Sequence, residues 1–185
     1  MTETEKYIWN MRAKLINIMQ NRSMTIDQRH IAILKELGIK IRDKSLEEWC
    51  EFYLKLERLD EEWAEVLYEA KNSPCNNTYD DDLSIAQEQL TIYFLYRHMM
   101  SAVWDEDILE KVAFAVHACN MISKISGVPQ VKSRVLYDSE QTNPEVSDSL
   151  FAMIHIARMY SAEIEYSDEN LWMVMKEFGI LRDDS

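Results

Sequence analysis

The sequence predicts an all-α protein, a helical bundle of about six to seven helices, and three observations carry that reading. Apolar residues recur at spacings of three and four along most of the 185 residues. Only three Gly and three Pro interrupt them, which leaves little material for tight turns. Side chains able to cap a helix start stand just ahead of several apolar stripes. The length suits a single helical domain over residues 1–185, since a chain of roughly 150 residues already buries about 70% of its unfolded surface. Two irregular segments are expected within it, near 72–83 and 127–143.

Tyr7, Ile8, Met11, Leu15, Ile18 and Met19 define a first amphipathic helix over 4–20. Thr25 followed by Gln28 reads as a capping box, which opens a second helix from Ile26 to about Ile41. Ser45 with Glu48 opens the longest pattern in the chain, Trp49, Phe52, Tyr53, Leu56, Leu59, Trp63, Val66, Leu67 and Ala70, read as one helix with a charged outer face. The Pro74-containing run Asn72 to Asp82 is a loop and a candidate hinge, because Pro cannot extend a helix and Asn/Asp clusters favour turns. A helix from Ser84 to Trp104 follows, then a break at Asp105-Glu106-Asp107 and a fifth helix from Ile108 to about Ser126. Gly127-Val128-Pro129 ends it, and 130–143 reads as irregular. Asn143-Pro144 caps a helix from Glu145 to about Tyr166, and Ser167 starts a last one, Asp168 to Phe178, stopped by Gly179.

A formal net charge of −13 repels phosphate backbones and anionic lipid, so nucleic acid is not expected as a partner. Cys50, Cys75 and Cys119 form no CxxC pair and are odd in number, which argues against a disulfide framework or a thiolate metal site and for a reducing cytoplasm. The first residues lack the basic and apolar regions of a signal peptide. The most apolar run, Leu90 to Trp104, is broken by Arg97-His98 and falls short of the roughly 18 uncharged residues of a membrane span, so no membrane association is expected.

No metal site is expected either. None of His30, His98, His117 or His155 follows a Glu by three residues, the spacing a carboxylate-bridged centre in a helical bundle needs; Asp27 before His30 is the nearest approximation. His117 and Cys119, two apart, point about 200° away from each other on a helix. The three glycines stand alone, so no phosphate-binding loop can form. What remains is Tyr160 to Asn170, where Glu163 and Glu165 enter the tail of an apolar helix, and Arg97 in the other apolar helix. An unpaired buried charge is costly, so Arg97 is expected to pair with Glu163 or Glu165. These three are the candidate catalytic residues, with a structural ion pair as the competing role.

Several segments together resemble the flagellin lysine N-methylases of the FliB type, in the helical region that follows their cysteine-rich part. They are Trp9-Asn10-Met11-Arg12, Ile18-Met19-Gln20-Asn21-Arg22 with Gln28-Arg29, Leu59-Asp60-Glu61-Glu62-Trp63, Tyr93 to Asp107 with Tyr96-Arg97-His98 and Ala102-Val103-Trp104-Asp105, and Tyr160 to Leu171. The resemblance implies methyl transfer from S-adenosylmethionine to lysine side chains of flagellin, with a metal or iron–sulfur centre held by the cysteine-rich part. The sequence starts at Met1 just before the first matching helix and holds none of those clustered cysteines. The closing motif departs from the family at two positions, Ala162 where Arg is usual and Tyr166 where His is usual, which argues against catalysis by this copy.

Three readings stay open. The first is a FliB-like helical domain lacking the cluster region, a substrate- or partner-binding module related to flagellin lysine N-methylation. In that case the partner is a protein, with flagellin implied by the resemblance, and no cofactor is expected in this chain. The second is an active S-adenosylmethionine-dependent lysine N-methyltransferase, alone or with a separate cluster-bearing chain. The third is a structural or oligomerising module, for which the five Trp and nine Tyr would supply an interface.

Overall fold

A computed structural model describes residues 1–42, 44–73, 83–105, 107–138 and 146–180. Every regular element among them is helical: α1 (Glu3–Met19), α2 (Ile26–Glu36), α3 (Leu46–Tyr53), α4 (Glu61–Lys71), α5 (Leu83–Met99), α6 (Ala102–Asp105), α7 (Ile108–Ser126), α8 (Pro129–Asp138), α9 (Asp148–Tyr160) and α10 (Asp168–Glu177), with a π-helical segment at Ser161–Glu165. The all-α class holds. The count of six to seven helices is too low, because three expected elements differ and each difference has a local cause.

The long pattern over 46–70 is two helices. After Tyr53 the chain tightens into bonds three residues apart, from Lys55 N–H to Phe52 O and from Leu56 N–H to Tyr53 O, and Asp60 caps a new start by accepting from Glu62 N–H at 3.0 Å. The helix expected over 84–104 breaks before Ala102, where the Ser101 hydroxyl donates to His98 O at 2.7 Å. The stretch after Gly127 is α8, not irregular: Pro129 is its first residue, where a missing N–H costs nothing. α2 stops short of Ile41 because Gly38 turns left-handed at φ 65° and Ile39 N–H returns to Leu34 O. Capping boxes form at Thr25/Gln28 and Ser45/Glu48, and a third at Thr2/Glu5 opens α1. Of the loop and hinge expected near 72–83, residues 74–82 lie outside the described residues, as does the Asn143-Pro144 cap; α9 is capped by Ser147.

The chain divides into two compact units, Met1–Arg42 with Ser84–Cys119 and Val174–Ser185, and Asp43–Leu83 with Asn120–Met173. In the first, α1 packs on α2 and α6. Ile8, Leu15 and Met19 bury one face of α1, and Arg12 shares that face at 7% exposure. Its guanidinium lies 4.8 Å from the Trp9 ring and 4.5 Å from that of Tyr96, so two aromatic rings take the place of water around the cation. Arg29 is also buried, donating to Met19 O (3.1 Å), Met24 O (2.9 Å) and Glu88 Oε2 (3.0 Å). Arg22 adds two bonds to Glu88, at 3.1 and 3.0 Å. His30 Nε2 and Thr91 Oγ1, 2.9 Å apart, join α2 to α5 a turn further on.

In the second unit α3 packs on α4, α4 on α8 and α8 on α9, which runs on into the π-helical segment. Tyr53, Trp63 and Tyr160 form a buried ring cluster with centroids 5.8 to 6.3 Å apart. Arg134 of α8 holds Glu65 and Glu69 of α4, each at 2.8 Å. Burial pushes the Cys50 thiol up to about 12.

Two outcomes are expected. Glu88→Ala strands the buried Arg29, and urea unfolding should report a loss of about 3 kcal/mol. Hydrogen bonds from Arg22, its charge and that of Arg29 hold the Glu88 carboxyl below the usual carboxylate range. A depressed folded pKa stabilises above the unfolded pKa and is lost as pH falls through the folded value, so the gap between Glu88→Ala and the native chain should narrow below about pH 4. Cys50, protonated and fully buried, should react with a disulfide reagent only as fast as the chain unfolds, which thiol labelling across a urea series checks.

Candidate functional site

Glu163 and Glu165 lie in the π-helical segment Ser161–Glu165, where Tyr166 N–H reaches back five residues to Ser161 O at 2.9 Å. Such segments are rare and recur at functional sites. Glu163, Ile164 and Glu165 are buried in succession, at 2%, 1% and 4% exposure. A one-faced helix cannot bury three neighbours, so this segment is enclosed on most sides.

Burial obliges each polar group to find a partner. Glu163 Oε2 accepts the Leu59 N–H at 3.0 Å, in the turn between α3 and α4, while Oε1 has no hydrogen-bond partner among the described residues. Asn170, 1% exposed near the start of α10, donates its amide to Glu57 O (2.9 Å) and to Glu163 O (2.7 Å). Ser167 accepts from Asn170 N–H and so sets the α10 start. The turn at 57–59 is thereby fastened to the π-helical segment from two directions. Beside it the Tyr53 and Tyr160 hydroxyls are 3.1 Å apart, and Trp63 Nε1 is buried without a hydrogen-bond partner among the described residues.

The tyrosines are donors, not bases. Burial first, and then the neighbouring Tyr160, raise Tyr53 well above the ordinary phenol range; burial and the Glu165 carboxylate raise Tyr160 against a lowering hydrogen bond from Tyr53. Both stay protonated at neutral pH. The arrangement offers two carboxylates, two phenols and an indole N–H in an apolar surround. With both carboxylates at 4% exposure or less, it can hold hydrogen-bond donors from within the unit.

Arg97, the third candidate, is exposed on α5 in the first unit, whereas Glu163 and Glu165 belong to the second. The expected ion pair would therefore be one between the units. Sequence reasoning missed Tyr53 and Trp63 as members of the polar cluster, since both sit in an apolar stripe that accounts for them as core. Asn170 carried a signal in the Ser167 cap three residues before it. Of the histidines, His155 of the second unit lies with its Nε2 3.5 Å from Glu62, while in the first unit His98 packs against Phe94 and Phe114, and His117 against Phe178. Among the described residues no group of three or more His, Cys, Asp or Glu could hold a metal ion.

No family model, no curated protein and no solved structure matches this chain.

Glu163→Gln keeps an acceptor for Leu59 N–H and should unfold within about 1 kcal/mol of the native chain, while Glu163→Ala and Asn170→Ala, which strand backbone groups, should each lose about 2 kcal/mol in urea unfolding. An equal loss for Gln and Ala would remove the acceptor role assigned to Glu163.

Proposed function

We propose that the chain is a partner-binding helical module of the FliB-like kind, related to flagellin lysine N-methylation, with flagellin as its protein partner and methyl transfer carried out elsewhere. The observation that carries this reading is the Trp9–Arg12–Tyr96 stack. Both rings are more than half exposed, at 53% each, yet the buried guanidinium holds them in place. Aromatic side chains held in the free state lose little freedom on binding, which is what an interface anchor needs. Trp104, on the helix that packs against α1, extends the exposed aromatic surface at 85%. The burial of Glu163 and Glu165, one of them committed to a backbone N–H, supports a scaffolding role for the pair. No helix among the described residues is long and apolar enough to cross a membrane.

A second reading, an S-adenosylmethionine-dependent lysine N-methyltransferase, is favoured by the π-helical segment and by the unpartnered Glu163 Oε1. Thermal unfolding separates the two. A cofactor bound at a hundred times its Kd adds about 2.7 kcal/mol, or roughly 5–10 °C in Tm for a chain of this size. The partner-binding reading expects no shift with S-adenosylmethionine, and binding of purified flagellin that Trp9→Ala and Tyr96→Ala each weaken about tenfold or more. Flagellin binding indifferent to both substitutions would remove the aromatic stack from this role.

A further inference from the structure

The formal charge of −13 is not shared between the units. Within their sequence bounds the first holds twelve acidic and twelve basic residues, and the second 21 acidic against 8 basic. The whole imbalance therefore belongs to the second unit. Its described stretch from Lys44 to Ser73, which builds α3, the turn and α4, carries nine acidic and four basic side chains.

Those four cations are mostly engaged. Lys44 lies over the rings of Trp49 and Phe52, Lys71 pairs with Glu51, and Arg58 pairs with Glu61 at 3.4 Å. Around the turn, Glu57, Asp60 and Glu61 are exposed, and between them Leu59 presents its side chain to solvent at 64%. One face of α4 continues the surface through Glu61, Glu65 and Tyr68, at spacings of four and three, with Tyr68 54% exposed. Arg134 offsets Glu65 there.

An exposed leucine on a surface turn is ordinary. What is unusual is how firmly this turn is held from beneath, by Glu163 on Leu59 N–H and by Asn170 on Glu57 O. In addition Glu163 Oε1, in the same carboxylate that reaches Leu59, is buried and accepts nothing among the described residues. An apolar anchor, a backbone held from within and an acidic rim meet at one turn.

We propose that this turn and the adjoining face of α4 dock a basic, amphipathic segment of another protein, its apolar residue covering Leu59 and its lysines or arginines lying among Glu57, Asp60 and Glu61. Charge selects the occupant. A second copy would set one strongly acidic unit against another, and a nucleic acid or anionic membrane would be repelled. These residues belong to the second unit and the Trp9–Tyr96 stack to the first, and the proposal does not depend on flagellin being the partner.

The probe is a short helical peptide of leucine and lysine, labelled for fluorescence anisotropy and titrated with the full chain at low and moderate salt. Binding that weakens with salt is expected, and carbodiimide coupling should join peptide lysines to Glu57, Asp60 or Glu61. The pair Glu57→Lys with Glu61→Lys should weaken binding about tenfold or more, whereas Glu3→Lys with Glu36→Lys, which changes the net charge equally in the first unit, should leave it within about twofold. Leu59→Ser keeps the backbone bond to Glu163 and should weaken binding about fivefold with Tm unchanged. Three results overturn the proposal: no binding, equal weakening by the two lysine pairs, or sedimentation showing a dimer that Leu59→Ser dissolves. Flagellin binding lost in Trp9→Ala but kept in the Glu57→Lys, Glu61→Lys chain would leave the flagellin reading standing, while loss of peptide binding alone bears on this surface.

Discussion

Breaking a chain into many short helices frees backbone groups at every end, and a buried end is tolerable only if something satisfies it. That constraint organises both units. With three glycines available, few ends can close through left-handed turns, so side chains do the work. Thr2, Thr25, Ser45, Asp60 and Ser147 cap starts. Arg29 takes up the Met19 carbonyl at the end of α1, and Asn170 takes up that of Glu57 beyond α3. In each unit a polar residue from a later helix reaches into an earlier turn and fixes it there.

This explains why so many polar residues are buried. Arg29 with Glu88, and Glu163 with Asn170, serve corresponding purposes in the two units: an ion pair holds α5 to the α1–α2 turn, and a carboxylate with an amide holds the π-helical segment to the α3–α4 turn. They differ in completeness. Glu88 is bonded through both oxygens, and Glu163 through one.

How far the sequence discloses all this depends on the range of the interaction involved. Capping boxes are read within four residues, so Thr25/Gln28 and Ser45/Glu48 were legible, and so were α1, α7 and the Gly179 stop. The break after Tyr53 was not, because Leu56 and Leu59 continue the apolar period through it, and the local bonds and Asp60 cap that make it are joined by contacts with Glu163 and Asn170, more than a hundred residues away. α8 was missed because its polar residues mask a stripe of Val131 and Val135, both buried. Of the candidate site, Glu163 and Glu165 were legible as carboxylates in an apolar helix. The π-helical register was not, since no residue type demands it, and Tyr53 carried no mark distinguishing a hydrogen-bonded core phenol from a packed ring.

The same physics connects the interior cluster to the surface above it. Two raised phenols and two enclosed carboxylates are suited to holding a backbone in one conformation, and rigidity below a turn is of use only to what the turn presents. What it presents is Leu59 among Glu57, Asp60 and Glu61. In the first unit a buried Arg12 likewise holds Trp9 and Tyr96 at the surface. Each unit thus uses a buried polar group to hold exposed apolar side chains, one set on a neutral unit and the other on the acidic one. Glu163, through its bond to Leu59 N–H, is the group that fastens the second of these turns from within.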